Sequence, residues 1–178
     1  IRTPMNAIVG FTELLLYEDI SDDLRDSVTM IKKSAGNLMS IVEQILDLSR
    51  IEGNLIQLER IEFNPSLLLI ELGDVCRQKL KNRPVEFKLN IDGLPSSLMG
   101  DPTRLRQIIT NLLGNALKFT DTGSIELNVR HLQETDKHHQ LRFQVKDTGI
   151  GIQKNKLERI FESFEQGDGS TAREFGGT

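Results

Sequence analysis

The chain has 178 residues, 26 acidic against 22 basic, a net charge of −4 and one cysteine, Cys76. That length holds one large domain or a small helical domain beside a medium one, and the acidic balance speaks against nucleic acid or an anionic membrane surface as partner. A lone cysteine excludes an intramolecular disulfide, and with no span-length apolar run or signal peptide the segment is expected to be cytoplasmic and without membrane contact, although its parent could carry an anchor elsewhere.

The first fifty or so residues read as two helices. Ile8, Phe11, Leu14 and Leu15 mark the apolar side of the first, with Thr3 as N-cap and Pro4 as first helical residue. Asp19 to Asp22 interrupts the pattern, and Ser21 or Asp22 can cap the second helix. That helix carries Leu24, Ile31, Leu38 and Ile45 seven apart, with Val28, Ala35 and Val42 in a second such row. The two rows form an a/d heptad that Ile41 and Leu48 widen. A two-helix hairpin cannot bury so wide a stripe alone. Packing it on the following domain is one outlet; pairing two hairpins into a four-helix bundle, as a homodimer through residues 1–53, is the expected one.

The helical pattern stops near Ile51-Glu52-Gly53-Asn54, which sets domains at 1–53 and 54–178. Leu55 to Asn64 reads as a strand with Ile56, Leu58, Ile61 and Phe63 on its apolar side. Pro65 then opens a helix to about Asn82, on which Cys76 is a small core residue. Val85 to Ile91 alternates cleanly, Ser124 to Val129 forms another strand, and Glu134 to His139 reads as a polar hairpin loop. A short helix is expected from Lys154 to Ile160. Helices gathered on one side of a mixed sheet make an α/β sandwich, so the whole is α+β: a helical hairpin followed by that sandwich.

Between these strands lies the most informative segment. Asn111, Asn115 and Lys118 recur at steps of four and three, which puts them on one helical face. Beside them Leu105, Ile108, Ile109, Leu112, Leu113, Ala116 and Leu117 supply a broad apolar stripe. Polar groups in such surroundings need partners. A metal–phosphate ligand would serve all three, because amide oxygens are hard donors suited to Mg²⁺ and an ammonium neutralises phosphate. Amides that cap turns or face water would fit those three residues equally well.

A second segment favours the ligand. Leu141 to Asp147 alternates as a half-buried strand, and Thr148-Gly149-Ile150-Gly151-Ile152 follows at once. Glycines there let backbone approach a flat ligand closely, and Asp147 at the strand end can accept a hydrogen bond from an exocyclic amine such as adenine's.

At this point a resemblance is plain. Asn111-Leu-Leu-Gly-Asn115-Ala-Leu-Lys118-Phe119-Thr is similar to the N box of sensor histidine kinases, and Asp147-Thr-Gly149-Ile-Gly151 to their first glycine box. Ile160 to Gln166, with Phe161 and Phe164, resembles their phenylalanine box, and Phe175-Gly-Gly-Thr178 the start of the second glycine box. Ile1-Arg2-Thr3-Pro4-Met5-Asn6 resembles the downstream half of the histidine box. The wording of the boxes is nearest to hybrid kinases. In the family a phosphoacceptor histidine and an acidic neighbour directly precede this last segment. The blocks at Ile1 and Thr178 are cut, so a fragment of a longer chain is expected, unable to phosphorylate itself and short of part of its nucleotide lid.

The resemblance implies the ATP-binding fold shared with gyrase and Hsp90-type chaperones, with ATP and Mg²⁺ as cofactors and a response-regulator receiver domain as partner. It gives Asn115 to Mg²⁺ with Asn111 in support, Lys118 to the phosphates, Phe119 or its neighbours to the base pocket and Asp147 to the adenine amine. Asn111 stands where related ATPases carry a glutamate that activates water, and an amide cannot take that proton. Thr3 stands where the family often positions water for dephosphorylating a partner aspartate. Phe161 and Phe164 are expected to anchor the lid base in apolar core, and Gly167 to Thr178, with four glycines and little hydrophobicity, is expected to be mobile without nucleotide. A pseudokinase scaffold and an ATPase of the gyrase–chaperone group are the competing readings. No Walker-type Gly-x-x-x-x-Gly-Lys-Ser/Thr or His-Arg-Asp loop is present, which excludes P-loop and protein-serine kinase chemistry.

Overall fold

A computed structural model describes residues 1–53, 57–135, 138–153 and 157. The chain divides into two compact units, 1–57 and 58 onward. The helix expected over 154–160, Phe161, Phe164 and the segment from Gly167 to Thr178 lie outside the described residues, Leu157 apart.

The first unit is a hairpin of α1 (Arg2–Tyr17) and α2 (Asp22–Glu52). Helix α1 starts two residues earlier than the Thr3 cap requires. Ile1 is its N-cap, without a side-chain hydrogen bond, and Thr3 and Pro4 both lie inside the first turn. Thr3 therefore caps nothing, since capping needs a non-helical backbone at the capping residue. Pro4 is tolerated because first-turn N–H groups have no intrahelical acceptor; the first such bond is donated by Met5 N to Ile1 O at 3.3 Å. At the turn, Arg25 N donates to Ser21 O (2.9 Å), so Ser21 stands at the head of α2. Asp22 and Asp23 follow it, where the helix dipole favours carboxylates. Arg25 also grips the end of α1, donating to Leu16 O at 3.0 Å and Glu18 O at 3.3 Å.

Inside the hairpin the two heptad rows part company. Val28 and Ala35 are buried together with Met5 and Thr12 of α1, whereas Leu24, Ile31, Leu38 and Ile45 stay between 44% and 51% exposed. Phe11 and Leu14 of α1 are also open to solvent. One row closes the hairpin; the other is left facing outward.

The second unit runs β1 (Ile61–Phe63), α3 (Pro65–Leu80), β2 (Val85–Asp92), β3 (Leu98–Gly100), α4 (Pro102–Phe119), β4 (Gly123–Glu134) and β5 (His139–Asp147). Its main sheet has the order β2-β4-β5, parallel between β2 and β4 and antiparallel between β4 and β5. Strand alternation sends one row of each strand inward. Phe87, Leu89 and Ile91 lie opposite Ile125, Leu127 and Val129, and the last two of these oppose Val145 and Phe143. Ile125, Leu127 and Val129 are almost wholly buried. Helices α3 and α4 cover this face with Leu68, Leu69, Leu72, Cys76, Leu80, Ile109, Leu113, Ala116 and Leu117. Burial pushes the Cys76 thiol pKa up, as suits a core residue. Asn64 Oδ1 accepts from Leu67 N (3.1 Å) to cap α3, with Pro65 opening the helix. Where α3 crosses the sheet, a Cβ on Gly73 would stand 3.3 Å from both Leu89 and Phe87.

Two expectations need correction. The strand expected from Leu55 to Asn64 is regular only over Ile61–Phe63; Gln57 to Arg60 is not strand, residues 54–56 lie outside the described residues, and Leu58 and Ile61 are exposed. A strand extends only as far as its partner, and here the partner is the three-residue β3, paired Ile61↔Gly100 to Phe63↔Leu98. The hairpin loop expected over Glu134 to His139 is shorter, because those two residues are themselves paired in the ladder.

Candidate active site

Both ends of α4 are pinned by residues distant in sequence. At its start Asp101 is the N-cap: one carboxylate oxygen accepts from Arg104 N (2.9 Å), the other from Glu59 N (3.2 Å). The Arg104 N–H foremost, against an opposing desolvation effect and with further help from the Glu59 N–H, holds the Asp101 carboxyl below the usual carboxylate pKa. At its end Arg83 donates to Leu117 O (2.7 Å) and Thr120 O (2.6 Å). A guanidinium there satisfies carbonyls that no further turn would reach and meets the negative end of the helix dipole. Arg83 gave no signal in the sequence, since its partners lie 34 and 37 residues away.

Helix α4 turns Ile109, Leu113, Ala116 and Leu117 into the core and leaves Asn111 and Asn115 exposed. Ile108 and Leu112, expected in the stripe, are exposed beside them. The amides are thus not forced to find partners by burial. Their position one turn apart, with Cβ atoms ~5–6 Å from each other, instead offers two oxygens to anything approaching from solvent. Lys118 and Phe119 are half-buried, and the Lys118 ammonium lies over the Phe119 ring, 5.0 Å from its centroid.

The turn after β5 meets the end of this helix. Asp147 pairs with Ile125 and continues the inward row of Phe143 and Val145, so a carboxylate follows two apolar side chains at the helix-covered face. Its Oδ1 accepts from Gly149 N at 2.9 Å, which closes the turn. Ile150 N then donates to Phe119 O at 3.2 Å. Gly149 lies so close to α4 that a Cβ would collide with Phe119 O and stand 2.8 Å from its carbonyl carbon. Thr148 fastens the turn to β4: its N donates to Ser124 O (3.1 Å) and its Oγ1 accepts from Ser124 N (2.9 Å). Gly151 follows at φ +69°, with none of the described residues within 4 Å of where its Cβ would lie, and Ile150 and Ile152 are exposed.

The two segments singled out in the sequence are therefore brought together where the β5 turn packs on the end of α4. Thr3 is exposed on α1 in the other unit. The donor set fits a hard cation held with phosphate: neutral amide oxygens on the open face of α4 and one ammonium a turn further along the helix. Gly149→Ala should lift the turn off Phe119 and lower nucleotide affinity sharply, read by calorimetry with an ATP analogue; unchanged affinity would show that the close approach is dispensable.

This fold and site define an ATP-binding module of the type described as "Histidine kinase-, DNA gyrase B-, and HSP90-like ATPase", whose family profile matches residues 100–178. The "His Kinase A (phospho-acceptor) domain" profile matches residues 1–54. The chain belongs to the sensor histidine kinases and corresponds to their kinase core. It is 39% identical over its whole length to the signal transduction histidine-protein kinase BarA of Escherichia coli, spanning only 20% of that protein. Among solved structures, full-length ShkA in complex with AMPPNP aligns over 96% of this chain and 36% of its own, at 31% identity and TM-score 0.76. Histidine kinase ThkA in complex with response regulator protein TrrA aligns over 93% of this chain and 47% of its own, at 25% identity and TM-score 0.62. No helix among the described residues is long and apolar enough to cross a membrane.

Proposed function

We propose that this chain is the ATP-dependent core of a two-component protein-histidine kinase, placing the γ-phosphate of ATP on a histidine ahead of α1, from which it passes to a response-regulator aspartate. The observation that carries the reading is the docking of Gly149 and Ile150 onto Phe119, which joins the Asp147 turn to the asparagine helix. Asp147 accepts the adenine amine, with Phe119, Gly149, Gly151 and Ile152 lining the base side. Lys118 faces the phosphates. Asn115, supported by Asn111, would hold Mg²⁺ through its amide oxygen; when bound, the ion would supply charge neutralisation to the phosphates. Asn111 cannot deprotonate water, so hydrolysis competes poorly with an imidazole. Thr3, at the head of α1, positions water for dephosphorylating the regulator. Residues 1–53 form the dimerisation and phosphotransfer hairpin and 54–178 the catalytic domain. The outward row Leu24, Ile31, Leu38 and Ile45 supports the homodimer, and the likeness to a kinase solved with its response regulator supports that partner.

Phosphate labelling tests this reading. The chain's three histidines, His131, His138 and His139, all lie at the β4–β5 hairpin, and none is on α1 or α2. With radiolabelled ATP the 178-residue chain should bind nucleotide yet stay unlabelled. A version lengthened before Ile1 by a helical segment ending in His-Glu should take up an acid-labile, alkali-stable phosphate. Labelling of the shorter chain that disappears when His138 and His139 are changed would overturn the assignment. A lengthened chain that binds ATP and stays unlabelled would favour a pseudokinase.

A further inference from the structure

At the other end of β5 from Asp147, three side chains converge that the kinase reaction does not use. His131, Glu134 and His139 each offer one ligand atom, and these atoms all lie within 4.8 Å of one another. A plain strand would not allow it, because residues three apart point to opposite faces. Strand β4 carries an irregularity between His131, paired with Leu141, and Gln133, paired with Gln140. The extra residue, Leu132, shifts the alternation and brings Glu134 to the His131 face. Glu134 is the direct partner of His139, and His139 lies two residues from Leu141, so all three share that face.

We infer that this bulge builds a transition-metal site of the zinc type. His131 Nε2 and His139 Nδ1 face each other at 3.3 Å. That is close to the ~3.4 Å edge of a tetrahedron with ~2.1 Å metal–nitrogen bonds. Two imidazoles and a carboxylate are a borderline donor set, which selects Zn²⁺ or its neighbours over Mg²⁺. Glu134 Oε1 stands 3.7 Å from the other nitrogen, His139 Nε2, and its exposed side chain is free to swing toward the shared cation. The ion would clip the tips of β4 and β5 together and keep an open coordination position. His139 and Asp147 stand at the two ends of β5, eight residue steps apart, ~26 Å at ~3.3 Å per step, so the site stands apart from the nucleotide turn.

The untagged 178-residue chain, stripped with a chelator, should bind one equivalent of Zn²⁺ by calorimetry in the presence of excess Mg²⁺. Co²⁺ should give the visible absorption of a tetrahedral centre, and Zn²⁺ should raise the melting temperature. His131→Ala and His139→Ala should each abolish saturable binding, and Glu134→Ala should weaken it. His138→Ala, adjacent in sequence but outside the cluster, should leave it intact. Every variant should keep the parent's affinity for an ATP analogue, which shows that it is folded and separates this site from the nucleotide site. Absence of saturable Zn²⁺ binding, or binding that survives the His131→Ala/His139→Ala double variant, overturns the inference.

Discussion

Asp147→Ala should weaken ATP binding by about tenfold to a hundredfold, and its combination with Asn115→Ala should remove measurable binding. Loss of one hydrogen bond to a charged group costs roughly 1.5–3 kcal/mol, and each ~1.4 kcal/mol is a factor of ten in affinity. The position explains why so much rests on one carboxylate. Asp147 occupies the inward row of β5 directly after Phe143 and Val145, where the core gives way to the turn. Its oxygen Oδ1 also holds Gly149 N, so the side chain both shapes the turn and presents its other oxygen. Asp147→Asn separates these duties. The amide oxygen can still accept from Gly149 N, while an NH₂ would face the adenine amine donor to donor. Calorimetry with a non-hydrolysable analogue checks both variants, with thermal melting as control for the fold. Full affinity in the Asp147→Ala/Asn115→Ala double variant would remove the site from this part of the molecule.

The sequence carried the local half of this architecture. The α4 face, the β5 alternation, the Pro65 helix start and the heptads of α2 are periodic, and period is what a linear reading detects. What it missed depends on contacts distant in the chain. Strand β3 has three residues and exists through its pairing with β1. Arg83 becomes a helix cap only once the fold sets it beside Leu117 and Thr120. The exposure of Ile108 and Leu112 follows from how much of α4 the sheet and α3 can cover, which no stripe of residues states. The bulge at Leu132 is invisible in composition, yet it decides which side chains share a face. The glycines behaved otherwise. Gly149 was legible as a point of close approach, but the surface it approaches, the Phe119 carbonyl, needed the fold.

Leu38→Glu should convert a dimer to a monomer. Residues Val28 and Ala35 at the a positions are spent inside the hairpin, so the d-position row of Leu24, Ile31, Leu38 and Ile45 is what remains for a partner. Half-exposed leucines and isoleucines recur at every d position of α2 over three heptads, and Phe11 and Leu14 of α1 are open as well. A second copy would offer the same row, and a twofold axis along it would close a four-helix bundle. Glutamate at position 38 would place an unpaired charge in that seam from each protomer, at ~3–5 kcal/mol apiece. Met30 lies one residue before Ile31, at an outer c position, and is 70% exposed. Met30→Glu therefore adds the same charge without entering the seam and should remain dimeric. Light scattering over a concentration series distinguishes the three proteins. An unaltered chain that is monomeric at high concentration, or Leu38→Glu and Met30→Glu dissociating equally, would refute the seam.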